Sequence, residues 1–290
     1  MNLAAWQPAS RPLPALLAGM TSAELPQLTV TGVESDSRRL GPGQLFLACA
    51  GERHHGLEFV CEAAARGAAA LAWDGDQPPR PDPGVPAVRI PGLAARVGDI
   101  AARYYGHPSQ GLFVVGVTGT DGKTSCVHLL AQALASLGRP CGCLGTLGYG
   151  MLPQLAPASH TTPDPIRVQE WLARFAAGSA QDVAMEVSSH ALAQDRVRGV
   201  CFNVAVLTNI GRDHLDYHAD IGAYRAAKRR LFEMPGLEQA ILNSDDPVGA
   251  HWLRSLPAGV EPIAYGLQAR GAGAARYLQA SDIQTHVHGL

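Results

Sequence analysis

The chain has 290 residues, of which 47% are hydrophobic and 17% charged, so it can bury a core and is not a disordered protein. Its net charge of −2 argues against a nucleic-acid-binding protein that needs a broad basic face. We find no secretory signal, no apolar run of the roughly 20 residues that span a bilayer, and too few cysteines for a disulfide scaffold. We therefore expect a cytoplasmic two-domain protein that is not inserted in a membrane and has reduced thiols.

Residues 1–110 read as a small α/β domain. A polar turn, Ser35-Asp-Ser-Arg38, precedes an apolar strand at 45–49, and helical spacing over 59–66 ends at Gly67. A second strand is predicted at 68–73, a loop at 74–84 and a helix at 93–105.

Residues 111–290 read as a second α/β domain. The apolar run at 112–117 is typical of a parallel strand covered on both faces, and a glycine loop and a helix over 123–137 follow it. Further strands are predicted at 183–185, 204–207 and 239–242, with helices at 167–177 and 223–232. This alternation predicts a doubly wound, mostly parallel sheet. Residues 277–287 look like a further strand, so we expect a truncated chain whose central sheet is incomplete.

The glycine loop, Thr118-Gly-Thr-Asp-Gly-Lys-Thr124, lies between a predicted strand and a predicted helix. Backbone N–H groups in such a loop form a nest for phosphates, the Lys123 ammonium would reach the β/γ-phosphates, and the Thr124 hydroxyl would bind Mg²⁺. The usual phosphate-loop pattern has glycine where this chain has Val117, so the strict motif is not met. The strand–loop–helix context still predicts a phosphate site.

Lysine is rare in this chain. Of 23 basic residues only Lys123 and Lys228 are lysines, and the others are arginines. Since arginine serves wherever a generic positive charge is sufficient, these two positions are candidates for chemistry that arginine cannot perform.

The exact form G-T-x-G-K-T resembles the ATP-binding loop of the Mur ligases and of their relative folylpolyglutamate synthetase. Three further motifs occur in the family's order: Ala184-Met-Glu-Val-Ser-Ser-His190, Thr208-Asn-Ile-Gly-Arg-Asp-His-Leu-Asp-Tyr-His218 and Tyr224-Arg-Ala-Ala-Lys228. The Ser35–Arg38 turn with Pro42-Gly-Gln-Leu-Phe46 resembles the branch that adds the third residue of the peptidoglycan stem peptide.

This resemblance implies an N-terminal domain at 1–110 that binds the UDP precursor and a central ATP-binding domain at 111–290. It implies an ATP-dependent ligase that activates UDP-N-acetylmuramoyl-L-alanyl-D-glutamate as an acyl phosphate. The amine of a diamino acid, diaminopimelate or lysine, would then attack. A third domain that selects the amino acid would be absent, so we expect the isolated chain to be inactive. We also expect it to be a monomer.

Site residues follow from the same resemblance. Glu186 also ends an apolar strand, at the sheet edge where ligands bind, and its carboxylate can hold Mg²⁺. The resemblance implies two Mg²⁺ sites with the ligands Thr124, Glu186, His214 and Lys228, the last as a carbamate formed with CO₂. It implies catalytic roles for Lys123, Lys228 and His214. The implied ATP-binding residues are Gly119, Thr120, Asp121, Gly122, Lys123, Thr124, Ser125 and Asn209. The implied substrate-binding residues are Ser35, Ser37, Thr161, Thr162, Ser188, Gln194 and Arg196.

The sequence leaves open two departures from the family's pattern and two alternative functions. Asp121 stands where the family commonly has asparagine, which would add negative charge near the γ-phosphate, and the contacts of the loop at 52–55 are undefined. A folate-polyglutamating ligase shares the phosphate loop and the lysine motif but lacks a UDP-binding N-terminal domain. A non-catalytic fragment that holds the UDP precursor is compatible with every motif.

Overall fold

The computed structural model describes residues 8–51, 54–75, 78–80, 82–214, 216–268 and 273–284. Its helices are α1 (Leu13–Leu17), α2 (Val60–Ala65), α3 (Val97–Tyr105), α4 (Lys123–Ser136), α5 (Pro165–Ala177), α6 (Ser189–Ala193), α7 (Ile221–Arg229) and α8 (Pro247–Trp252). Its strands are β1 (Arg11–Pro12), β2 (Thr29–Val30), β3 (Val33–Glu34), β4 (Leu45–Ala48), β5 (Ala70–Trp73), β6 (Ala87–Arg89), β7 (Phe113–Thr118), β8 (Cys141–Gly145), β9 (Gly148–Met151), β10 (Gln154–Ala156), β11 (Asp182–Glu186), β12 (Val204–Leu207), β13 (Gln239–Asn243), β14 (Glu261–Gly266) and β15 (Arg276–Gln279). Short 3-10 helices lie at Ser37–Arg39, Gly56–Phe59, Leu93–Arg96, Pro108–Gly111 and Arg230–Glu233.

The described residues form two compact units. The first comprises those within Met1–Pro108, Asp164–Gly178 and Asp195–Val200. The second comprises those within Ser109–Pro163, Ser179–Gln194 and Cys201–Leu290. Helix α5 therefore packs in the first unit, although strands of the second unit precede it in the sequence.

A four-stranded parallel sheet, in the order β3-β4-β5-β6, forms the centre of the first unit. Both β4 and β5 are buried along their whole length, which explains why each reads as an uninterrupted apolar run. One face packs against α1 and α3, and the core there includes Ile166 from α5.

Among the described residues, the second unit contains a nine-stranded sheet in the order β10-β9-β8-β11-β7-β12-β13-β14-β15. Along this order, each strand from β8 to β15 is parallel to the next one. At the other end of the sheet, β9 is antiparallel to β8, and β10 is antiparallel to β9. The prediction of an α/β fold with a mostly parallel sheet is confirmed. No helix among the described residues is long and apolar enough to cross a membrane.

The last predicted strand, 277–287, is shorter in the structure. Pairing with β14 continues to the hydrogen bond from Ala280 N–H to Gly266 O, and Asp282 then adopts φ +55°, which is incompatible with extended backbone. Residues 285–287 lie outside the described residues, as do Glu52 and Arg53 of the loop at 52–55.

Four parallel strands, β7, β8, β11 and β12, end at the same edge of the large sheet. The segments that follow them begin at Gly119, Thr146, Val187 and Thr208. Ligands of doubly wound sheets bind outside the carboxyl ends of the strands, so this edge is where the second unit would hold one.

Candidate functional site

The loop after β7, residues 119–122, contains two glycines in backbone conformations that side chains disfavour. Gly119 has φ +147°, and a Cβ there would lie 1.8 Å from the Thr208 hydroxyl oxygen. Gly122 has φ +82° and directly precedes α4. No side chain in the described part of the chain caps this helix, so its first N–H groups can donate to an anion. The loop thus has the shape and polarity of a phosphate site.

The segment after β12 holds this loop in place. The Asn209 carbonyl oxygen accepts from the Thr120 N–H at 2.9 Å, and Asn209 Oδ1 accepts from the Asp121 N–H at 3.1 Å. The Thr208 hydroxyl donates to the Asp121 carbonyl oxygen at 2.6 Å. Asn209, expected near the phosphates, therefore bonds to the loop backbone, while Asp121 is exposed.

Both lysines of the chain donate to one carbonyl oxygen. Lys123 Nζ lies 2.9 Å from Gly119 O and 2.8 Å from Thr120 O. Lys228 is 1% exposed, and its Nζ lies 2.7 Å from the same Gly119 oxygen. The two amines are neighbours, and an anionic ligand beside them would offset their mutual repulsion.

Electrostatics distinguish the two lysines. Burial, reinforced by the charge of Lys123, lowers the pKa of Lys228 to about 7, although Asp213 and Asp121 act in the opposite direction. Burial also lowers the pKa of Lys123, against the effect of Glu186, Asp121 and Asp213. Near neutral pH a large fraction of Lys228 is therefore the uncharged amine, which is the nucleophilic form.

Glu186, the last residue of β11, is 1% exposed. Its Oε2 accepts from the Thr124 hydroxyl at 2.9 Å, and its Oε1 accepts from the Thr146 N–H at 2.8 Å. The Thr146 hydroxyl donates to Oε2 at 3.3 Å. Glycine at 145 leaves room for this carboxylate, since a Cβ there would lie 2.3 Å from Oε1.

Three of the predicted substrate-binding residues lie near Glu186. Thr161 Oγ1 lies 3.1 Å from the Thr146 hydroxyl oxygen, within hydrogen-bond distance. The buried Thr162 hydroxyl donates to the Glu186 carbonyl oxygen at 2.8 Å and accepts from the Ser188 N–H at 3.1 Å. Ser188 also caps α6 through its hydroxyl. The structure therefore brings Thr161, Thr162 and Ser188 together.

His214 and Gln194 lie instead in a cluster of aromatic rings. The His214 ring centroid is 4.6 Å from that of His190, and Gln194 Nε2 donates to the Tyr217 hydroxyl at 3.0 Å. His218 packs edge-on against Tyr217, and burial, together with the neighbouring His214, lowers the pKa of His218. Among the described residues, the buried His218 Nε2 has no hydrogen-bond partner.

Ser35, Ser37 and Arg196 belong to the first unit. Ser35 is exposed and lines a cavity of 470 Å³ together with His54. Ser37 lines the same cavity but is buried, and its hydroxyl donates to Glu62 Oε2 at 3.0 Å. Arg196 is half-buried.

The donor set at the sheet edge fits a magnesium ion. Within the described ranges, no group of three or more His, Cys, Asp or Glu side chains is arranged to hold a metal. Thr124 and Glu186 supply a hydroxyl and a carboxylate oxygen at the start of α4. Mg²⁺ usually takes one or two protein oxygens and completes its shell with water and substrate phosphates, so the chemistry of this pair fits the ion.

Sequence reasoning missed Thr146 and Tyr224. Thr146 directly follows the apolar stretch at 141–145, and a polar residue after a parallel strand is a usable signal. Tyr224 lies one turn before Lys228, and only its contacts with residues far away in the sequence indicate a role for it. Ser125, expected to bind nucleotide, is exposed in the first turn of α4.

Comparison with known families matches both parts of the chain. The model of the Mur ligase middle domain matches residues 117–290. A second model, described as the catalytic domain of the Mur ligase family, matches residues 29–105.

Individual relatives are similar over most of this chain. A UDP-N-acetylmuramoyl-L-alanyl-D-glutamate–2,6-diaminopimelate ligase from Alkalilimnicola ehrlichii is 51% identical over 247 residues, covering 82% of this chain and 50% of that protein. The ligase of the same name from Xanthomonas campestris pv. campestris is 48% identical over 266 residues, covering 90% and 52%. A solved structure of a ligase of this name superposes with a TM-score of 0.80 at 29% identity, covering 97% of this chain and 56% of that one. The chain spans about half the length of the curated relatives it matches.

Proposed function

Because the chain belongs to the Mur ligase family, we propose that it carries the precursor-binding and ATP-binding parts of an amide-bond ligase. The substrate would be UDP-N-acetylmuramoyl-L-alanyl-D-glutamate and the added diamino acid 2,6-diaminopimelate, as the names of the relatives indicate. Residues 1–110 would hold the UDP precursor and residues 111–290 the ATP. We infer a cytoplasmic enzyme of peptidoglycan synthesis.

The observation that carries this proposal is the bond between Thr124 and Glu186 beside the two lysines. A lysine and a hydroxyl at the start of a helix, beside a buried carboxylate, are the groups that bind a nucleoside triphosphate with its metal. They lie at the carboxyl ends of adjacent parallel strands, which fixes their relative positions.

In the proposed reaction, a carboxylate oxygen of the D-glutamate residue attacks the γ-phosphorus of ATP, and ADP leaves. The amine of the diamino acid then attacks the acyl phosphate carbon, phosphate leaves, and the amide bond remains. Lys123 and the first N–H groups of α4 would offset negative charge on the phosphoryl oxygens. Thr161 and Thr162, beside Glu186, would orient the carboxylate, with Arg196 pairing to an anionic group of the precursor.

Thr124 and Glu186 would hold the first Mg²⁺. Bound there, the ion would neutralise charge on phosphate oxygens as phosphoryl transfer proceeds. His214 and the carbamate of Lys228 are the ligands proposed for a second Mg²⁺. What supports the first site is the oxygen pair itself, whereas the second rests on the family's pattern.

A carbamate at Lys228 is supported by the surroundings of its amine. Lys228 is 1% exposed, and burial together with Lys123 lowers its pKa to about 7. The uncharged nitrogen can attack the carbon of CO₂ and lose a proton, which gives an anion beside the Lys123 ammonium. Opposite charges would then replace like charges on the two side chains.

Calorimetric titration of the chain with UDP-N-acetylmuramoyl-L-alanyl-D-glutamate tests the substrate class. We expect saturable binding that is tighter than that of free UDP, and no binding of a folate. Preferential binding of the folate would favour a folate-polyglutamating ligase. Absence of precursor binding would contradict the proposal.

Glu186→Gln tests the metal site. Wild-type affinity for a non-hydrolysable ATP analogue should rise when Mg²⁺ is added, and the variant should lose most of that rise because its amide is a poor Mg²⁺ ligand. Asp182→Asn is the matched control, since Asp182 is a buried carboxylate at the other end of β11 that pairs with Arg139. The control should keep the Mg²⁺ response, and an equal response in Glu186→Gln would exclude Glu186 as a ligand.

A further inference from the structure

Tyr224 links two parts of the site that are distant in sequence. It is fully buried on α7, one turn before Lys228. Its hydroxyl oxygen lies 2.9 Å from Thr120 Oγ1 on the phosphate loop, and either hydroxyl can supply the proton. Its ring centroid lies 4.6 Å from Lys228 Nζ.

The Thr120 side chain is enclosed between two elements. Besides Tyr224, its Oγ1 accepts from the Gly211 N–H at 2.7 Å. A Cβ at Gly211 would lie 3.3 Å from the Thr120 side chain, so the segment after β12 approaches the loop closely. The Thr120 carbonyl oxygen in turn accepts from Lys123 Nζ. A contact that fixes the position of Thr120 therefore also fixes one of the carbonyl oxygens that Lys123 binds.

We propose that Tyr224 is a positioning residue that holds the phosphate loop in its nucleotide-binding arrangement through the Thr120 hydroxyl. This role rests on the proposed binding of ATP. Burial raises the pKa of Tyr224, so the phenol keeps its proton at neutral pH. The ring fills the space under Lys228 whether or not the hydroxyl is present, so the hydroxyl can be tested separately from the packing.

Tyr224→Phe removes the hydroxyl and keeps the ring. We expect its affinity for the non-hydrolysable analogue AMP-PNP with Mg²⁺, measured calorimetrically on the whole chain, to fall about five- to tenfold, as for one lost hydrogen bond. Tyr104→Phe is the matched control, because Tyr104 is 1% exposed and its hydroxyl donates to Thr31 O at 2.5 Å in the first unit. The control should leave AMP-PNP affinity unchanged, although urea unfolding should report a similar loss of stability in both variants.

A double-mutant cycle tests the route through Thr120. Thr120→Val should also weaken AMP-PNP binding, and adding Tyr224→Phe to it should change affinity less than about twofold, because the shared bond is already gone. Thr120→Ser keeps a hydroxyl and should lose less affinity than Thr120→Val. Should Tyr224→Phe not fold, the contrast between Val and Ser at 120 decides whether the hydroxyl matters.

The outcomes separate the two proposals. A wild-type chain that does not bind AMP-PNP would overturn the proposed function and this role with it. Wild-type binding with Tyr224→Phe within twofold would overturn only the role of Tyr224. Additive losses in the double variant, or equal losses for Val and Ser at position 120, would overturn the route through Thr120.

Discussion

Lys228 is an ionisable side chain held where its charge is unfavourable. Burial and the neighbouring Lys123 lower its pKa to about 7 from an ordinary value of 10.5. In the unfolded chain the amine keeps its proton throughout that interval. The unfolded state therefore binds more protons than the folded state between these two pH values, and the free energy of unfolding rises with pH across that window.

We expect Lys228→Met to remove this part of the pH dependence. Between pH 7 and pH 9, the unfolding free energy of the wild type relative to the variant should increase by about 2 kcal/mol, since one pKa unit corresponds to about 1.4 kcal/mol. Urea unfolding in CO₂-free buffer measures both proteins. If the unfolding free energies of the two proteins change equally with pH, the pKa of Lys228 is not lowered in the folded state.

Adding bicarbonate to the same unfolding experiment tests whether Lys228 forms a carbamate. Carbon-13-labelled bicarbonate added to the wild type should give a carbamate carbon resonance and a higher unfolding free energy, because a modification confined to the folded state stabilises it. Lys228→Met serves as the control and should show neither effect.

Single residues of the site were predictable when their own motif carried the signal. Lys123, Thr124 and Glu186 follow directly from the ends of apolar strands, and the structure brings them together. Tyr224 was not predictable, because its contact with Thr120 joins residues 104 positions apart. Tertiary contacts of this kind leave no local pattern in a single sequence.

Helices and strands were predictable to the extent that side-chain pattern determines them. Strand β12 lies at the predicted 204–207, and α5 begins at Pro165, two residues before the predicted start, because Asp164 caps it. The antiparallel hairpin of β9 and β10 was missed. Its glycines at 148 and 150 have φ +145° and +151°, so the hairpin depends on backbone freedom that gives no apolar alternation.

Strands β8 and β11 place Gly145 against Glu186, and this contact sets a steric limit on the sheet edge. Gly145→Ala would put a Cβ 2.3 Å from Glu186 Oε1, which forces the carboxylate or the strand to move. We expect a loss of about 1–3 kcal/mol in unfolding free energy, measured by urea titration. Gly111→Ala is the control, since a Cβ there meets nothing within 4 Å, and it should stay within about 0.5 kcal/mol. Equal unfolding midpoints for the two variants would contradict this account.

The chain passes between its two compact units more than once. Segments 164–178 and 195–200 belong to the first unit, although the sequence on either side of each belongs to the second. The sequence pattern suggests one boundary near residue 110, because a helix such as α5 has the same amphipathic signature whichever unit it covers. Which core it completes depends on tertiary packing.

Helix α5 should therefore be needed for the first unit to be stable. Ile166 is 1% exposed in that unit's core, and Arg167 lies 2.8 Å from the carboxylate of Glu34, which is 3% exposed. Without α5 the core loses an apolar side chain and a buried carboxylate loses one of its cations, which is strongly destabilising. Arg39 remains as the other cation, at 3.2 Å.

We expect a fragment of residues 1–110 to unfold at lower urea concentration than the first unit does within the whole chain. A synthetic peptide of residues 164–178, added in excess, should raise the unfolding midpoint of the fragment, because it binds only the folded form. The same peptide with Ile166→Asp should have no effect, since it would bury an unpaired charge. A fragment that unfolds at the same urea concentration as the first unit in the whole chain, with or without the peptide, would show that the first unit is stable without α5 and that the boundary near residue 110 is a true domain boundary.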